Sequence, residues 1–366
     1  VVTQLKQEDS EKPVSVSYRI EELFSGNVVA EGESDDTDFE IAIPDCQLWS
    51  PESPFLYELI LSTGADEKTT RFGMRSFKFN PETKRAELNN ETYYMRGTNV
   101  CIFRFFEDPD RAELPWDDEW VIKLHQKFKE MNWNSIRYCI GFPPERWYEI
   151  ADSLGFLIQD EYSYWTLNSD DDIYPEVKAE HIANEFRQWL PERWNHPCVV
   201  IWDAQNESIT KETGDAIELV REMDLSGRPW ENGWEAPQAA TDPYESHPYL
   251  YSKYRRENSE PPSEDGALAD LLVDDPTPTN DANSHTSKDT TFKNPIIINE
   301  YAWLWLNRNG TTTTLTDRVY DVAFGENLTK EERIDLYTKN LAMLTEYWRT
   351  QRECAGVLHF CGLAYS

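Results

Sequence analysis

Short apolar runs broken by turn signals fill the first eighty residues, and several alternate polar and apolar positions. A period of two puts successive side chains on opposite faces of a strand. Strands are expected at residues 14–18, 20–23, 28–30, 39–43, 55–61 and 69–79, with a turn at Ser25-Gly26-Asn27. No helical period competes there, so residues 1–80 read as a β-sandwich of immunoglobulin type. Pro51 and Pro54 enforce an extended path between two of these strands. Asn80-Pro81 then marks the expected domain boundary.

Beyond residue 81 the pattern changes to apolar runs alternating with helical periods. Asp117 is placed to cap a helix carrying Trp120, Val121, Leu124, Phe128 and Met131 on one face. Pro144 opens another helix, through Trp147, Ile150 and Leu154, and Gly155 closes it. Further helices are expected around 177–194, through Ile217, Val220 and Met223, at 267–273, and through Ile334, Leu341 and Trp348. Eight strands are predicted, at 93–101, 134–138, 156–159, 199–202, 228–230, 239–241, 296–299 and 356–360. Residues 81–366 therefore read as a (β/α)8 barrel. The polar segment 252–294 reads as a lid or mobile insertion. The chain reaches Ser366 with no room for a closing eighth helix, which reads as a fragment boundary.

Two runs share one shape. Val199-Val-Ile-Trp202 ends in Asp-Ala-Gln-Asn206-Glu207, and Pro295-Ile-Ile-Ile298 ends in Asn299-Glu300. Strands four and seven of a barrel deliver such tips to one rim, and paired carboxylates there suggest acid/base chemistry.

Composition narrows the partners. Net charge is −33, which disfavours nucleic acid and anionic membranes through phosphate repulsion. No apolar run is long enough to span a bilayer. Six cysteines form no CxxC pair, so no zinc site is expected, and most sit beside apolar runs as small buried hydrophobes. The aromatic content, 14 Trp, 18 Tyr and 16 Phe, is compatible with a sugar ligand. Compartment stays open between secreted or periplasmic and cytoplasmic, and a homo-oligomer is compatible with the reading.

Seven motifs occur in one order: W-S-P-E-S-P-F-L-Y from Trp49, R-F-G-M-R from Arg71, M-R-G-T-N from Met95, N-W-N-S-I-R from Asn132, A-D-S-L-G-F-L-I-Q-D-E from Ala151, N-H-P-C-V-V-I-W-D-A-Q-N-E from Asn195 and N-E-Y-A from Asn299. Together they resemble glycoside hydrolase family 2, the family of β-galactosidases, β-glucuronidases and β-mannosidases. The resemblance implies an immunoglobulin-like sandwich followed by a TIM barrel, without the jelly-roll domain that precedes them in relatives. It implies a retaining exo-β-glycosidase, most like a β-galactosidase, with Glu207 as acid/base and Glu300 as nucleophile; no carboxylate/His set matches the magnesium site of some β-galactosidases, so no metal or cofactor is expected. A β-glucuronidase or β-mannosidase and a noncatalytic sugar-binding relative are the alternatives. Glu207 must hold its proton, and repulsion from an ionised Glu300 favours that. Asn206 is expected to bond the sugar 2-hydroxyl, Arg137 to hold the nucleophile, and Tyr249 to donate to it. Trp303 and Phe360 are expected as the sugar platform. Asp160 and Glu161 suit a structural or a substrate-facing role equally.

Departures from the family pattern bear on the sugar. Trp303 stands where β-galactosidases carry His, and Tyr138-Cys139-Ile140-Gly141-Phe142-Pro143 lacks a sugar-contacting His. Strand eight reads Leu358-His359-Phe360-Cys361 where a Trp is usual. Arg308 is a candidate for a uronate carboxylate, with a solvated loop arginine as the blander reading.

Overall fold

The structure is a computed structural model that describes residues 1–4, 15–166, 176–273, 276 and 293–363. Strand β1 (Val2–Gln4) pairs antiparallel with β4 (Asp38–Glu40). Strands β2 (Val16–Glu22), β3 (Val28–Ser34), β5 (Tyr57–Ser62) and β6 (Glu67–Phe72) form an antiparallel sheet in the order β3-β2-β5-β6. Ile20, Ile41, Tyr57 and Leu59 make the buried core of this immunoglobulin-like domain. Residue 14, where the first of these strands was expected to begin, lies outside the described residues.

The single strand expected at 69–79 is two. Strand β6 stops at Phe72, and β7 (Phe77–Asn80) joins β8 (Arg85–Leu88) and β9 (Glu91–Tyr93) in a separate sheet. The link between β6 and β7 is pinned to the barrel instead. Arg75 Nε donates to the Pro197 carbonyl at 3.1 Å and its Nη2 to the Val199 carbonyl at 2.5 Å. Trp49 N donates to the Met74 carbonyl at 2.7 Å. Phe77, Phe79, Ala86 and Leu88 then pack into the barrel's core.

Eight parallel strands follow: β10 (Met95–Val100), β11 (Ser135–Tyr138), β12 (Leu157–Glu161), β13 (Val199–Asp203), β14 (Trp230–Glu231), β15 (Tyr244–Ser246), β16 (Ile296–Ile298) and β17 (Cys354–His359). Their order is β14-β13-β12-β11-β10-β17-β16-β15, a nearly closed TIM barrel with no ladder between β14 and β15 among the described residues. Strand six is thus Tyr244–Ser246 rather than 239–241. Those three residues form a turn closed by Asp242, whose backbone N–H donates to the Ala239 carbonyl and whose carboxylate accepts from Ala239 N, each at 3.0 Å.

Local chemistry explains the helices. Helix α1 (Phe103–Phe106) is a single turn, and α2 (Asp118–Glu130) starts at Asp117, whose carboxylate accepts from Glu119 N and Trp120 N. Helix α3 (Glu145–Leu154) begins after Pro144 and ends at Gly155 with φ 77°. Helices α4 (Ala179–Arg193), α5 (Lys211–Val220) and α6 (Ala267–Leu272) follow. Helix α7 (Asp317–Phe324) was not anticipated, and α8 (Lys330–Thr350) opens with a capping box between Thr329 and Glu332. Of the polar segment expected as a lid, residues 274–275 and 277–292 lie outside the described residues.

The period of two divides the barrel into layers. Tyr138, Asp160 and Trp202 face the helices, where Tyr138 meets Trp147, and Asp160 and Trp202 meet Trp189. The alternate positions Arg137, Gln159, Glu161 and Asp203 point inward and bond one another.

Candidate active site

Arg137 is the hub of the barrel interior. It is the penultimate residue of β11, fully buried, and its guanidinium reaches around the cylinder. Nε donates to Asp203 Oδ2 at 3.0 Å, and Nη1 donates to Glu300 Oε1 at 2.8 Å and Asn99 Oδ1 at 3.2 Å. Nη2 donates to Asn206 Oδ1 at 2.8 Å, to Glu245 Oε1 at 3.1 Å, and to Glu161. Burial alone would weaken this cation, but Glu161, Glu245 and Asp203 hold it charged well beyond the usual arginine range.

Glu207 and Glu300 lie at the carboxyl ends of β13 and β16, and an oxygen of one comes within 4.8 Å of an oxygen of the other. Glu207 has φ 41°, a left-handed backbone that turns its side chain at the strand tip. Its side chain keeps 15% exposure, whereas that of Glu300 keeps 4%. Burial raises the pKa of Glu300, and Glu207 adds to that, while His247, Arg137 and the Tyr249 hydroxyl oppose the rise. Tyr249 is buried and donates its hydroxyl to Glu300 Oε2. Burial, then Glu300 and Glu207, lift its phenol well above the ordinary range, so it remains a donor.

The remaining expected residues occupy varied settings. Asn206 is buried against Arg137, with its backbone N–H on the Tyr164 carbonyl at 2.8 Å. Trp303 has φ 77° and stacks edge-on with Tyr249 at 4.9 Å, beneath the Arg255 guanidinium at 5.0 Å. Phe360 is only 5% exposed and packs with Trp305, Cys101 and Cys361. Asp160 faces outward, accepting from Tyr148 Oη at 2.6 Å and Trp189 Nε1 at 2.9 Å, so it is structural. Glu161 faces inward onto Arg137 and the Ile140 N–H. Arg308 is held by Asp108 at the surface.

Three residues of the site were missed. His247 lies between the two glutamates, with Nδ1 3.1 Å from Glu207 Oε1 and Nε2 3.8 Å from Glu300 Oε1. Glu245 contacts the same Nε2. Misplacing strand six hid both, although Tyr249, two residues past His247, was expected at the site. Trp165 is 41% exposed and bridges by backbone to Asn206, which places it next to the strand tip that carries Glu207. Its signal was only its place four residues after Glu161.

A cavity of about 680 Å³ lies elsewhere, outside the barrel wall between Trp133, Tyr337, Leu341 and Val357. Neither glutamate lines it, so it is not where a substrate would meet them.

Comparison with known proteins finds matches along most of the chain. The model described as "Glycosyl hydrolases family 2, TIM barrel domain" matches residues 82–330, and "Glycosyl hydrolases family 2" matches residues 1–75. A β-galactosidase of Lactococcus lactis is 31% identical over 228 residues, covering 58% of this chain and 22% of the relative. A putative β-glucuronidase of Formosa agariphila is 26% identical over 193 residues, covering 50% of this chain and 18% of the relative. Among solved structures, a Faecalibacterium prausnitzii β-glucuronidase superposes with a TM-score of 0.68 at 21% identity, over 97% of this chain and 56% of that one. An uncultured Clostridium β-glucuronidase gives 0.66 at 20% identity, over 98% and 58%. The chain spans about a fifth of these curated relatives' length.

Proposed function

Because the chain belongs to glycoside hydrolase family 2, we propose that it carries the catalytic centre of a retaining exo-β-glycosidase acting on neutral terminal sugars, β-galactosides first. The observation that carries this is the carboxylate pair, with oxygens within 4.8 Å of each other at the tips of β13 and β16. Retaining enzymes hold their two carboxyl groups about 5–5.5 Å apart, whereas inverting ones leave roughly 6.5–9.5 Å for a water. Glu300 attacks the anomeric carbon while Glu207 protonates the departing glycosidic oxygen. The glycosyl ester on Glu300 is then cleaved by a water that Glu207 deprotonates, which restores both carboxyls and retains configuration. Arg137 and Tyr249 hold Glu300 in place, and Asn206 meets the 2-hydroxyl. Trp303, Trp165 and Phe360 are the candidate platform for the ring.

Charge supports a neutral sugar over a uronate. Glu161, Asp203, Glu231, Glu245, Glu207 and Glu300 surround the centre. Arg137 is wholly engaged inside, and Arg308 is taken by Asp108. A carboxylate on the substrate would meet repulsion there.

The test is mass-spectrometric. A panel of 2-deoxy-2-fluoro glycosides is offered to the protein, and the galactoside should leave a covalent adduct on Glu300. Glu207→Ala should slow aryl galactosides with poor leaving groups by about 10²–10⁴-fold, and activated ones far less. An adduct from the glucuronide alone would reassign the sugar. No adduct and no hydrolysis by the parent would overturn the reading and favour a noncatalytic sugar-binding relative, whereas Glu300→Gln as active as the parent would remove Glu300 as the nucleophile.

A further inference from the structure

The strand-six histidine sits where its hydrogen bond reaches Glu207 and its charge reaches both glutamates. His247 is fully buried, and its two ring nitrogens each meet a carboxylate oxygen. Nδ1 lies 3.1 Å from Glu207 Oε1, and Nε2 contacts Glu245 Oε1 and lies 3.8 Å from Glu300 Oε1. A neutral imidazole has one N–H and one lone pair, and a lone pair facing a carboxylate oxygen is repulsive. Nδ1 hydrogen-bonds Glu207 and Nε2 meets Glu245 as an ion-pair contact, and both nitrogens face their carboxylates favourably only if the ring carries both protons.

We propose that His247, anchored by Glu245, is a positioning residue that bridges the two glutamates as an imidazolium, fixing which Glu207 oxygen bears the proton and holding Glu300 ionised. The proposal rests on the glycosidase reading and adds a residue to it. The Nδ1–H donates to Glu207 Oε1, so that oxygen is the acceptor and the transferable proton resides on Oε2. After the glycosyl ester forms, the same cation remains beside the Glu207 carboxylate while it acts as base.

The surroundings sustain the charge. Facing the ring are Glu207 from the end of β13, Glu245 from β15, Glu300 from the end of β16 and the neutral Tyr249 and Trp234 rings, at 6.1 and 5.8 Å. Arg137 shares the same Glu245 Oε1, at 3.1 Å. Burial disfavours the imidazolium, but Glu300 and Glu245 outweigh it and raise its pKa well above the ordinary histidine value. The burial that raises Glu300 is in turn countered first by His247.

The experiment uses the full chain with nitrogen-15 in its histidine rings. The resonance absent from His247→Asn should be that of a doubly protonated ring at pH 7, and Glu245→Gln should bring its deprotonation to lower pH. His247→Asn removes the charge but keeps a donor near the Nδ1 position. With an aryl β-galactoside, the acid limb of its kcat/KM profile should move up by about one pH unit, while His247→Gln, lacking that donor, should in addition lose rate most with poor leaving groups. A neutral His247 ring at pH 7, or an acid limb unmoved in a folded His247→Asn, overturns the proposal. Failure to label Glu300 in the parent protein would sink the glycosidase reading itself. A neutral ring in a protein that labels normally would sink only the bridge.

Discussion

His125 lies on α2 with its ring edge-on to Trp147 at 5.5 Å and Phe156 at 5.4 Å. Its Nδ1 bonds the Val121 carbonyl at 2.8 Å, and its Nε2 has no hydrogen-bond partner. Burial lowers its pKa from 6.5 to about 4, and burial does the same to His359. The folded state therefore refuses a proton that the unfolded chain accepts from about pH 6.5 downward. Stability is intact above pH 6.5 and is lost as pH falls toward 4, by about 3 kcal/mol from His125 at most. His125→Phe keeps the ring packing, so it should match the parent within about 1 kcal/mol at pH 7. It should then lose clearly less stability between pH 6.5 and 4.5, as urea midpoints at each pH would show. Parallel slopes for the two proteins would refute the assignment. Other residues of this kind were only half legible in the sequence. Glu207 and Glu300 announced themselves at the ends of apolar runs, because a strand tip is readable from its strand. Asp160 and Glu161 did not separate, since only a known register decides that one meets Trp189 and the other Arg137.

Gly155 shows how an element carries more than its own end. It caps α3 with φ 77°, which any glycine C-cap does at little cost. Here an added Cβ would also lie 2.4 Å from the Pro51 carbonyl oxygen. Backbone meets backbone, so no side chain can yield. The same junction carries Trp49 Nε1 on the Asp152 carbonyl at 2.9 Å and the Arg75 bonds to 197 and 199. Gly155→Ala should therefore cost more than the roughly 1–2 kcal/mol of a left-handed alanine. Gly26→Ala is the control, because Gly26 has φ 71° with nothing within 4 Å of its added Cβ. Chemical denaturation of both variants should rank Gly155→Ala well below Gly26→Ala, and equal losses would remove the junction from the argument. Elements with caps, such as α2 and α3, were legible because Asp117, Pro144 and Gly155 are local signals. Strand six was not: the buried run Tyr244–Ser246 is three residues long, too short for a period. The missed α7 likewise lacks a side-chain cap hydrogen bond at Thr316.

At the scale of the whole molecule, the barrel is completed by side chains where its backbone is not. No ladder joins β14 to β15 among the described residues. Across that seam Asp242 accepts from Trp230 N at 3.0 Å, and Asn299 Nδ2 donates to Glu231 Oε2 at 3.0 Å. Arg137 connects the rest, with partners on β10, β12, β13 and β15 and at the end of β16. Four of those partners are carboxylates with almost no exposure. Removing the cation strips all four of their shared counter-charge, which costs about 3–5 kcal/mol when a buried pair loses one member. Arg137→Met keeps much of the volume and should show that loss at pH 7–8. The pH dependence gives the sign. In the variant the stranded carboxylates have pKa values above those of the unfolded chain. Its deficit is therefore full where they are ionised and shrinks as pH falls and they take up protons. Comparing Arg137→Met with the parent by urea unfolding from pH 8 to pH 5 should show the gap narrowing. A gap that stays constant would mean Arg137 holds the barrel by packing, and that the charge at its centre does not.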